Sequence, residues 1–87
     1  MNNDTRKRLA ALQSKINDVR SELGVMIADA TELAEEEMEK FENMTEGLQA
    51  SEKGQAIEQA ANALHDLQDL LESSDGSLEE AANIEVE

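Results

Sequence analysis

Apolar and small residues recur at alternating steps of three and four from Leu9 onward: Leu9, Leu12, Ile16, Val19, Leu23, Met26, Ala30 and Leu33. Steps averaging about 3.5 keep every member on one side of an α-helix and predict a coiled-coil-like seam. From Met26 the better seam becomes Ala30, Ala34, Met38 and Phe41, a run of four-residue steps that relaxes a supercoil without ending the helix. Gly24 interrupts nothing, because Val19, Leu23 and Met26 pass it in register. One helix is therefore predicted from about residue 4 to 43, started by Asp4 or Thr5 as the cap. At about 1.5 Å per residue it is some 60 Å long.

The stretch NMTEGLQASEKG, residues 43 to 54, reads as the break. Gly47 and Gly54 lower helix propensity, Asn43, Thr45 and Ser51 supply capping groups, and Leu48 is expected under the turn. A second helix is predicted from about 51 to 73, with Ile57, Ala60, Leu64, Leu67 and Leu71 on its seam. SSDG ends it, Gly76 taking the left-handed conformation that closes a helix. Ser77 with Glu80 fits a capping box, so one further turn or two is expected over 77–82, within an acidic tail of residues 77–87. The fold class is thus all-α, a long helix and a shorter antiparallel one forming a hairpin over residues 1–76.

Lengths then bear on association. A second helix of about 23 residues spans roughly 34 Å, little more than half of the first. It leaves Leu9, Leu12, Ile16 and Val19 bare, each forgoing about 1.5–3 kcal/mol of burial. Leu9, Leu12, Ile16, Val19 and Leu23 are therefore the expected self-association residues, and a second copy of the chain is the simplest cover.

Charge sharpens this picture. The net charge is −14, yet residues 1–20 carry +3 and residues 21–87 carry −17. Arg6, Lys7 and Arg8 sit at the positive end of the first helix dipole and EEEMEKFE at its negative end, the reverse of what the dipole favours. Two antiparallel first helices would set Arg6–Arg20 beside Glu32–Glu42, so an antiparallel homodimer is favoured over a parallel one, a higher bundle being the further option. The acidic balance argues against nucleic acid or an anionic membrane as a partner and for a basic protein surface.

Composition narrows the chemistry. Leu, Ile, Val and Phe make up 18 of 87 residues, with Phe41 the single aromatic, so one small domain with a thin core is expected. There is no cysteine, and hence no disulfide or thiolate site. RKR before LAAL faintly resembles a signal peptide, but Gln13, Ser14 and Lys15 cut the apolar run short, and the chain reads as cytoplasmic. His65 has Asp66 and Asp69 nearby but lacks the Glu-x-x-His spacing of helical metal sites, since Asn62 precedes it by three. SDGSLEE lacks the alternating acids of a calcium loop. No phosphate-binding glycine loop or nucleophile–base pair is present, so no enzyme activity and no cofactor are expected.

The glutamates offer a binding function. Carboxylates four apart on a helix are about 6 Å apart along its axis, close to the spacing of successive phosphates on a nucleic-acid strand. Glu32, Glu35, Glu36, Glu39 and Glu42 form such a face. The bland reading is that these charges only solvate the helix. At residues 41–72, Asn43, Met44, Glu46, Leu48, Gln49, Ser51, Glu52 and Gly54 resemble a turn found in small acidic helical proteins encoded by bacteriophages, with Thr45 where proline is common. The resemblance implies a viral setting, host bacterial cytoplasm and a role against host proteins. An inhibitor of a host nucleic-acid-handling or defence protein is the leading expectation. A structural adaptor or scaffold working through its hydrophobic seams is the alternative, and an oligomeric small-ligand sponge the third.

Overall fold

The computed structural model describes residues 1–86, and these form three helices: α1 (Asn3–Glu42), the single turn α2 (Glu46–Gln49) and α3 (Glu52–Ala82). There are no strands among the described residues. α1 and α3 lie antiparallel along each other in a rod of 67 × 16 × 13 Å. The expected helical hairpin is therefore the fold.

Local chemistry sets the ends. Asn2, not Asp4 or Thr5, caps α1, its Oδ1 accepting from the Thr5 amide at 2.8 Å. α1 runs unbroken through Gly24. Thr45 caps α2 and Ser51 caps α3, each accepting a backbone N–H three residues on. Gln49 Nε2 donates to the Phe41 carbonyl at 3.0 Å and ties the turn to the end of α1. Leu48 does not tuck under the turn: its side chain is exposed, and its carbonyl does the work by accepting from Ser51. Gly54 is buried against α2, where a Cβ would collide with the Leu48 and Gln49 carbonyls.

The largest departure from expectation is the length of α3. SSDG does not stop it, and no glycine takes a left-handed conformation. Glycine costs about 1 kcal/mol inside a helix, and the contacts beyond it offset that cost. Asp75 accepts from Arg20, Leu78 is half-buried, and the last carbonyls are met from α1, Gln13 Nε2 donating to Ala81 (3.3 Å) and Ile84 (2.9 Å). Asn83 caps the end by donating to the Glu79 carbonyl at 2.9 Å. With 31 residues, α3 is about 46 Å long and reaches back along α1 to Gln13.

The seam between the helices is heptad up to Ala34, where a second successive four-residue step leads on to Met38. On α1 the covered positions are Leu9, Gln13, Ile16, Arg20, Leu23, Ile27, Ala30 and Ala34, continuing to Met38 and Phe41. On α3 they are Gly54, Ile57, Ala61, Leu64, Gln68, Leu71, Asp75 and Leu78. The buried residues run from the middle of α1 toward the turn: Leu23, Ala30 and Ala34 on α1, Gly54 and Ala61 on α3. Small side chains there let the backbones approach closely.

Candidate functional site

Two rows of α1 were candidates for one seam, and the structure separates them. Ile16 and Leu23 lie on the α3 side of the hairpin, and Leu9 beside residues 84–86 just past the end of α3. Leu12 and Val19 stay outside it, 55% and 48% exposed. The expectation that a short second helix leaves Leu9 and Ile16 bare is thus corrected by the longer α3, while Leu12 and Val19 do remain uncovered. The second seam row is instead Gln13, Arg20, Ile27 and Ala34, one step further round the helix.

Polar members of that row are partnered. Arg20 Nε donates to Asp75 Oδ1 at 3.0 Å and its Nη2 to Oδ2 at 3.4 Å, with Glu79 at 3.7 Å. These hydrogen bonds to Asp75 raise the arginine pKa further above its ordinary value, against a smaller opposing effect of burial. Arg20, at the end of the basic segment, is thus paired within the hairpin. Arg6, Lys7, Arg8 and Lys15 make no ion pair among the described residues.

The uncovered rows converge on one side. Ile57, Leu64 and Leu71 occupy the same heptad position on α3 as Leu9, Ile16 and Leu23 on α1. In an antiparallel pair this equivalence is a local twofold axis that emerges through the two open sides of the hairpin. Residues three beyond the shared position therefore lie on the same open side from both helices. They are Leu12, Val19, Met26 and Leu33 from α1, and Ala60, Leu67 and Ser74 from α3, with Ala63 and Leu70 beside the latter, all exposed. The opposite side carries Asn17, Thr31 and Met38 against Glu58, His65 and Glu72. A cleft of about 160 Å³ between Met38 and His65 opens there. The first side is the more apolar of the two.

The acidic face occupies a third aspect, the outer surface of the C-terminal half of α1. Glu32, Glu35, Glu36, Glu39 and Glu42 are all exposed. None of the five ion-pairs among the described residues; Lys40 bonds Glu37 instead, at 2.7 Å, and this bond raises the lysine pKa. His65 is exposed and its Nδ1 lies 3.3 Å from Gln68 Oε1, not against Asp66 or Asp69. No three His, Cys, Asp or Glu side chains converge on a metal-sized site among the described residues. No helix among them is long and apolar enough to cross a membrane.

No protein-family model, curated protein or solved structure matches the chain.

Sequence reasoning missed Gln13, Arg20 and Asp75 as seam residues because they are polar. A signal was present: Gln13 and Arg20 are seven apart, as are Gln68 and Asp75, the repeat of a heptad seam.

Proposed function

We propose that the chain is a non-enzymatic protein-binding module, a phage-type inhibitor whose acidic helix face engages the basic surface of a host protein that handles nucleic acid or serves in defence. The observation that carries this reading is the exposure of Glu32, Glu35, Glu36, Glu39 and Glu42 on one helix, none of them in an ion pair among the described residues. Uncompensated charge on a rigid rod is available to a cationic partner and attracts it over roughly a Debye length, about 10 Å at 0.1 M salt. The expected setting is the bacterial cytoplasm.

Capture from a bacterial lysate, followed by titration with the protein so identified, tests the reading. Affinity should fall steeply with salt and drop on replacing Glu35, Glu36 and Glu39 by Gln. Binding indifferent to both rejects it.

The second reading, a structural adaptor, is favoured by one observation: the exposed row Leu12, Val19, Met26 and Leu33. There, glutamate at Val19 abolishes partner binding while the Gln variants keep it.

A further inference from the structure

The hairpin is thin for its length. Its radius of gyration is 19.8 Å, against about 12 Å for a compact chain of this size, and Leu23 is the one large side chain in the buried set. Meanwhile Leu12, Val19, Met26, Leu33, Leu67 and Leu70, all on one open side, are each between 44% and 67% exposed. We propose that this side is the contact between two copies of the chain, packed α1 against α1 in antiparallel fashion to give a four-helix bundle. The proposal shares only Glu36 with the acidic face and does not depend on that face having a host partner.

Placement of residues along α1 specifies both occupant and direction. The row Leu12 to Leu33 is centred between residues 22 and 23, which is also the midpoint of Asn3–Glu42. An antiparallel copy about that point overlaps α1 along its whole length. It sets Leu12 against the partner copy's Leu33 and Val19 against its Met26. The flanking row is Arg8, Lys15, Glu22, Asp29 and Glu36, basic at one end and acidic at the other. The same twofold axis brings Arg8 toward Glu36 and Lys15 toward Asp29 of the other copy, twice each, leaving Glu22 near its own equivalent. A parallel arrangement sets like against like at every one of these positions. Arg8 and Lys15, unpaired among the described residues, thereby find partners.

The area suffices. A side face as long as α3, about 46 Å, and 16 Å across presents on the order of 700 Å² per copy, near the roughly 800 Å² each partner gives to a stable interface.

Sedimentation equilibrium of the full chain, with circular dichroism of the same samples, tests the proposal. The wild-type chain should sediment as a dimer. Glu at both Val19 and Met26, which are exposed in the single hairpin, should weaken dimerisation at least a hundredfold while helicity at high protein concentration persists. Lys15→Glu and Asp29→Lys should each weaken it severalfold, and the two together should restore it. A wild-type monomer at tens of micromolar overturns the proposal. So does a dimer that survives the Val19 and Met26 changes, or a charge reversal without restoration.

Discussion

Arg20 and Asp75 meet across the hairpin, guanidinium Nε to carboxylate oxygen at 3.0 Å, although they are 55 positions apart in the chain. This pair favours one register of α3 on α1, because the other residues of the seam are uncharged. Replacing Arg20 by Ala or Asp75 by Asn should lower the melting temperature by a few degrees, and the double variant should lose less than the sum. The arginine pKa is raised in the folded chain. Its contribution is therefore fully present below the unfolded value and is lost only as pH climbs through the higher folded one. Between pH 7 and 10 the arginine introduces no pH dependence, and thermal melts over that window check it.

Glycine substitutions separate a required glycine from two incidental ones. A Cβ at Gly54 would overlap the Leu48 and Gln49 carbonyls, which are backbone and cannot swing aside. Gly54→Ala should destabilise by about 1–3 kcal/mol. Gly24 and Gly76 are helical and have nothing within 4 Å of an added Cβ. Alanine at either should stabilise by about 0.5–1 kcal/mol. Urea melts of the three variants decide it.

Gln13 acts as a cap supplied from the other helix. Its amide donates to the Ala81 and Ile84 carbonyls at the end of α3. Gln13→Ala should cost about 1 kcal/mol and speed amide exchange locally, over residues 79–84, while the turn around Gly54 keeps its protection. Unchanged exchange there would show that Asn83 alone holds the end.

Helical periodicity made the two main helices and the turn between them legible, because the apolar stripe of α1 runs through Gly24 without a shift in register and that of α3 starts only after Ser51. Ser51 was legible as a cap because a hydroxyl three residues before Gly54 has one obvious use. Which pair of rows forms the seam was not legible. Hydropathy favours Leu12, Val19 and Met26 over Gln13, Arg20 and Ile27, yet the polar row goes inward because α3 presents carbonyls and Asp75 to meet it. The end of α3 was misread for the same reason. SSDG has the local chemistry of a stop, but Arg20 and the half-buried Leu78 hold the helix on past it. Local signals set the caps; partners across the hairpin set register and length.

Salt should raise the stability of the hairpin. Excess negative charge repels itself most where Glu32–Glu42 crowd α1, and screening relieves that repulsion. Melting temperature should climb by several degrees as sodium chloride rises from about 0.01 to 0.3 M. A fall instead would make the Arg20–Asp75 pair the dominant electrostatic feature.

The division of α1 into an inward row and an outward one is tested most directly by disulfide trapping, since the chain has no cysteine of its own. Leu12→Cys and Leu33→Cys chains are oxidised separately and then as a refolded mixture. Antiparallel pairing through the outward row predicts covalent dimers in the mixture, joined 12 to 33, and few in either variant alone. Efficient linkage within each separate variant, or none in any sample, would contradict it.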